Sequence, residues 1–133
     1  MSLLKRVQAF FSAHSETSEN HQNPDMRSRY YKTTAKKAIE AVQAAASSRG
    51  GCQVTSVSEE RGEISVQVKK PKSALLVATV ISVRPFETAI DFSVSSDTAL
   101  PTDFGYSRKV ISEFYNKLDS ELKFVGSGLN SGK

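Results

Sequence analysis

Residues 74–83, Ala-Leu-Leu-Val-Ala-Thr-Val-Ile-Ser-Val, restrict the fold of this chain more than any other stretch. The run lies between Pro71 and Pro85 and is far shorter than the roughly 20 apolar residues that cross a bilayer. Its β-branched content marks a strand. Leu75, Val77, Ile81 and Val83 fall on one face and Leu76, Ala78 and Val80 on the other. A strand apolar on both faces needs cover on both, so the chain must build a layered domain with helices packed on a sheet.

The neighbouring segments supply the rest of that sheet. Residues 52–58 and 63–69 read as strands joined by Glu59, Glu60, Arg61 and Gly62, the length and glycine placement of a short hairpin loop. Ile64, Val66 and Val68 alternate with Glu63, Ser65 and Gln67, and Thr88, Ile90, Phe92 and Val94 alternate with Ala89, Asp91 and Ser93. Hairpins in sequence lay these four strands out as an antiparallel meander. Ahead of them, Tyr30 and Tyr31 sit in a short strand, and Thr33 or Thr34 can cap a helix. Ala35, Ala38, Ile39, Val42, Ala45 and Ala46 share one face of it, and Gly50 with Gly51 ends it. Thr102 or Asp103 can cap a last helix carrying Val110, Ile111, Phe114, Tyr115, Leu118 and Leu122. The fold class is therefore α+β: a short strand, a helix, a four-stranded antiparallel meander and a long C-terminal helix packed on the sheet.

Both ends are read as lying outside this domain, which spans residues 28–124. Leu3, Leu4, Val7, Phe10 and Phe11 recur at the spacing of one helical face, giving a tethered amphipathic helix over residues 1–12. Residues 13–27 are polar and aperiodic, the pattern of a linker. Residues 125–133, rich in Gly and Ser, read as a flexible tail.

The chain has 133 residues, 38% of them apolar, enough for one core and too few for two. A single cysteine, Cys52, and two histidines, His14 and His21, exclude a disulfide framework and the usual structural zinc sites. Without a secretory leader pattern, the expected compartment is the cytoplasm. No cofactor or metal is expected, since no glycine-rich phosphate loop is present. The histidines fall in or next to the polar N-terminal segment, where no expected scaffold holds an imidazole against a nucleophile. The net charge of +4 resides in residues 1–50, which hold eight cations against four carboxylates. That is too weak a footprint for a nucleic-acid surface.

One polar constellation joins the last strand to the last helix: Ser93, Ser95, Ser96, Asp97, Thr98, Thr102, Asp103, Gly105, Ser107, Arg108 and Lys109. A helix N-terminus with Arg108 one turn in can bind an anion, with Thr102, Asp103, Gly105, Ser107 and Arg108 as the site; turn formation and capping explain the same residues. An enzyme reading makes Asp97, Asp103 and Arg108 acid, base and anion clamp. Ser93-Val-Ser95 followed by Thr102-Asp103-Phe104-Gly105-Tyr106-Ser107-Arg108 is similar to a signature in a family of uncharacterised bacterial proteins, over about residues 93–118. In that family Ser-x-Ser leads into Ser-Asp-Leu-Gly, then Asn-Arg and an apolar helix. The connection after Ser95 is longer here, and Ser107 stands where the family tends to have Asn. The element order resembles helix-grip and TATA-binding-protein-like folds. That resemblance implies an apolar ligand held under the last helix by Ile111, Phe114, Tyr115 and Leu118.

The expected function is a non-enzymatic binding or interaction domain, for an apolar small molecule or a protein. If both helices share one face of the sheet, Leu76, Ala78 and Val80 are left for the N-terminal helix or for a homodimer contact that also uses Phe10 and Phe11. In a third reading the N-terminal helix lies on a membrane surface, with Phe10 and Phe11 inward.

Overall fold

The computed structural model describes residues 14–97, 103 and 105–127. In chain order they form β1 (His14–Glu16), a 3-10 turn (Pro24–Met26), β2 (Arg29–Tyr31), α1 (Ala35–Arg49), β3 (Cys52–Ser58), β4 (Glu63–Val68), β5 (Ala74–Arg84), β6 (Glu87–Ser96), α2 (Tyr106–Glu121) and β7 (Phe124–Ser127). The strands make one antiparallel sheet in the order β3-β4-β5-β6-β2-β7, with β1 also paired to β6.

Local chemistry sets the ends of these elements. Thr34 caps α1 by accepting a hydrogen bond from Lys37 N (3.2 Å), and Gly50, at φ 79°, ends it. Gly62 is required where the β3–β4 turn is pressed onto β5. Its carbonyl accepts from Val80 N (2.7 Å), its φ is +70°, and a Cβ there would stand 2.2 Å from Val80 O.

Both helices lie on one face. Helix α1 covers β3, β4 and β5, and α2 packs beside it over β6. The alanines of α1 let the helix approach the sheet closely, and Ala38, Val42, Ala45 and Ala46 are buried against it. Phe92 at the centre of β6 meets the rings of Phe114 (5.6 Å) and Tyr115 (4.9 Å) from α2.

Three expectations are corrected. Leu76, Ala78 and Val80 are not a vacant face: together with Ala74 they point at the helices and are buried, whereas Leu75 and Ile81 opposite are about half exposed. The stretch 13–27 is not a free linker. Within it, β1 pairs His14 with Ser95 and Glu16 with Ser93, Ser18 bridges Arg27, and Met26 is buried in the core. Strand β6 has ten residues and β2 pairs only with its Thr88–Ile90 portion, so the rest of that edge is open to β1. The C-terminal segment is ordered further than residue 124, because β7 pairs with β2 through Ser127. The sheet thus has seven strands. The N-terminal helix expected over 1–12, with Phe10 and Phe11, lies outside the described residues, as do Thr102 and residues 128–133.

Candidate functional site

The polar junction between β6 and α2 closes on itself. Asp103, 3% exposed, accepts hydrogen bonds from Ser96 Oγ (2.8 Å), Gly105 N (3.0 Å) and Ser107 N (3.0 Å). Its own carboxylate occupies the helix N-terminus where an outside anion was expected. Burial by itself raises the Asp103 pKa. The hydrogen bonds from Ser96, Ser107 and Gly105 outweigh it and hold the carboxyl below its ordinary 3.8. A carboxylate held ionised and already accepting three hydrogen bonds is a poor acid or base, which removes the support for an acid–base site on Asp97, Asp103 and Arg108. Asp97 is exposed, and its amide donates to Ser73 O (2.9 Å).

The side chains expected to grip an apolar ligand are used by the core. Ile111, Tyr115 and Leu118 are fully buried, and Phe114 is 1% exposed. Tyr115 Oη donates to Ile90 O (2.7 Å), and burial pushes its pKa upward, so it stays protonated. Of the four, only Phe114 reaches a groove. That groove, of about 460 Å³, runs between α1 and α2 along Ala45, Ser48, Arg49, Glu113, Asn116, Lys117 and Ser120. Arg49 is engaged there, with Glu113 Oε1 at 3.1 Å through Nε, and Lys70 O at 3.0 Å through a terminal nitrogen. It acts as a clamp between α1, α2 and the β4–β5 turn.

A different cleft holds a cation with no partner among the described residues. It measures about 590 Å³ and is lined by His14, Ser15, Glu16, Thr17, Ser18, His21, Met26 and Arg108. Strand β1 forms one wall. The cross-strand register sets His14 opposite Ser95, and His14 Nδ1 is hydrogen-bonded to Ser95 Oγ. Ser15 Oγ pairs with Ser107 Oγ at 2.8 Å, tying β1 to the first turn of α2. Thr17 donates to Asp91 Oδ1 (2.6 Å) and accepts from Phe92 N (2.9 Å). Ser28 donates to the same Asp91 oxygen (2.5 Å), so the loop between β1 and β2 is held at both ends. Within that loop His21 Nδ1 accepts from Asn23 N (3.0 Å), which leaves its proton on Nε2. Arg108 is exposed, and its guanidinium has no hydrogen bond or ion pair with any described residue.

The cleft therefore combines an arginine, two imidazoles and several hydroxyls, with Glu16 at its rim. Such a set recognises charge and hydrogen-bonding pattern. The Ser95–His14 pair is half of a nucleophilic constellation. Glu16 Oε1, however, is 4.0 Å from His14 Nε2, too far to orient the ring by a hydrogen bond. No three His, Cys, Asp or Glu side chains are grouped to hold a metal among the described residues. No helix among them is long and apolar enough to cross a membrane.

Of the expected anion site, Arg108 belongs to this cleft, Asp103, Gly105 and Ser107 belong to the helix cap, and Thr102 lies outside the described residues. Sequence reasoning missed His14, Ser15, Thr17 and His21 because a three-residue strand has no periodicity to read. The available signal was that both histidines lie within twelve residues of Met26, where the chain enters the core. Compared with known proteins, the chain matches no family model and no curated relative.

Proposed function

We propose that the protein is a non-enzymatic binding domain that holds a small polar ligand bearing a carboxylate or phosphate in the cleft beside β1. One observation carries this reading: the Arg108 guanidinium, without a partner among the described residues, lines a cleft of about 590 Å³ together with His14 and His21. That volume lies in the range of small-molecule sites, roughly 300–1,000 Å³. The planar guanidinium suits bidentate recognition of an oxyanion. The filled core beneath Ile111, Tyr115 and Leu118 favours this polar site over the apolar one.

The test is a titration with inorganic phosphate and, separately, citrate at constant ionic strength, followed by NMR shifts of residues 14–21 and the Arg108 Nε–H. Saturable shifts at His14, His21 and Arg108 are expected with at least one anion. Arg108→Ala weakens binding about ten- to a hundredfold, the worth of a hydrogen bond to a charged group, and leaves the unfolding midpoint unchanged. Neither anion shifting these residues, or equal affinity in Arg108→Ala, overturns the reading.

A further inference from the structure

Strand β3 ends the sheet. It pairs with β4 from Cys52 opposite Val68 to Ser58 opposite Glu63, and among the described residues no strand takes its other side. In an antiparallel ladder, alternate residues aim their N–H and C=O at one neighbour and the others aim them the opposite way. Lys69 N donates to Gly51 O (2.7 Å), so Gly51 and Gln53 face β4 while Cys52 and Val54 present their backbone groups outward. A bulge follows between Val54 and Ser56. Beyond it Ser58 O accepts from Gly62 N (2.8 Å), which turns Ser58 toward β4 and Val57 outward. Edge strands are commonly guarded by lysine, proline or another charge. The seven residues of β3, Cys-Gln-Val-Thr-Ser-Val-Ser, hold none of these.

The two ends of the strand differ in charge. At its start, Lys69 Nζ donates to Gln53 Oε1 (2.8 Å), and Lys70 Cβ lies 2.8 Å from the point where a Gly51 side chain would begin, so both lysines lie alongside residues 51–53. At its end Glu59 and Glu60 are exposed and outnumber Arg61. Between the ends, Cys52 and Val54 pack against the core, whereas Val57, opposite the buried Ile64, is left 40% exposed.

We infer that β3 pairs antiparallel with β3 of a second copy about a two-fold axis, joining two sheets into one. The register that sets the two bulges opposite each other places Val54 across from Val57 of the partner subunit, and covers both. The same register brings Glu59 and Glu60 of each copy beside Gly51 and Cys52 of the other, within reach of Lys69 and Lys70. A parallel pairing would set like charges together. An edge whose two ends complement each other is the property of a two-fold contact, and it selects a second copy as the occupant. The inference is independent of the ligand cleft.

The test is sedimentation equilibrium of the full chain at low ionic strength, from about 5 to about 500 μM, the range in which a small interface dissociates. The mass is expected to rise from that of a monomer toward twice that value, and less so when salt screens the charges. Val57→Lys should weaken association at least about tenfold with the far-UV spectrum unchanged. Two charge-reversed proteins, one with Glu59→Lys and Glu60→Lys and one with Lys69→Glu and Lys70→Glu, should each stay monomeric alone and associate when mixed, since both contacts are then between opposite charges; this recovery shows that neither variant fails merely by unfolding. A chain monomeric throughout the range overturns the inference. So does a dimer indifferent to Val57→Lys, or a mixture of the charge-reversed proteins that stays monomeric.

Discussion

Asp103 works at the scale of one carboxylate. Three hydrogen bonds hold its pKa below the ordinary 3.8, against the burial that raises it. A group with a lowered folded pKa stabilises the native state at pH values above its unfolded pKa. That contribution fades as pH falls through 3.8 toward the folded value. Asp103→Asn keeps the shape, removes the charge and turns one acceptor into a donor facing Ser107 N or Gly105 N. The expected loss is about 1–2 kcal/mol at pH 7, typical of a lost helix cap. Stability curves of the two proteins, measured by urea unfolding, should converge as pH drops below 3.8; curves that stay parallel to pH 3 would contradict this account. A capping side chain at Thr102 or Asp103 was legible in the sequence; the structure makes Gly105 the N-cap residue, with Asp103, two residues ahead of it, accepting from Ser107 N. The cationic role of Arg108 was legible only in part, since its cleft is completed by β1.

Between elements, α2 is latched to β2 by Asp119. Arg29 on β2 donates to Asp119 Oδ2 and Tyr31 Oη donates to Oδ1 (2.7 Å). The Arg29 guanidinium also lies 4.6 Å from the centroid of the Tyr115 ring and 5.6 Å from that of Phe124 on β7. Burial, and then the Asp119 hydrogen bond, raise the Tyr31 pKa, so this donor stays protonated throughout the working pH range. Side-chain exposures of 17% for Arg29 and 31% for Asp119 put the pair between a buried ion pair and a surface one. Asp119→Ala should therefore cost about 1–3 kcal/mol, below the cost of breaking a fully buried pair. Glu121→Ala, which removes the half-exposed Lys117–Glu121 pair, should change stability by less than about 0.5 kcal/mol. Chemical denaturation of the two variants side by side checks the contrast; equal losses would mean that Asp119 does not latch α2. The latch was invisible in the sequence, because Arg29 and Asp119 are 90 residues apart and neither sits in a motif.

For the whole molecule, the packing of both helices on one face decides which residues carry stability. Leu76, fully buried in the core cluster, should cost about 2–5 kcal/mol as Leu76→Ala, with a single cooperative transition retained. Val57, 40% exposed on the edge strand β3, should cost less than about 1 kcal/mol as Val57→Ala. Similar losses at the two positions would mean that the core does not lie between the sheet and the helices. α1, α2 and the four long strands from β3 to β6 can be read from the residues, because each carries its own periodicity, caps or turn residues. The rest depends on contacts between distant segments. Two-residue alternation shows that β5 has two apolar faces but cannot say which one the helices cover. β1 and β7 are short edge strands recruited by unpaired backbone groups on β6 and β2, and backbone hydrogen bonding does not depend on side-chain identity. The cleft of His14, His21 and Arg108 exists only because that pairing brings an N-terminal strand beside the first turn of the C-terminal helix.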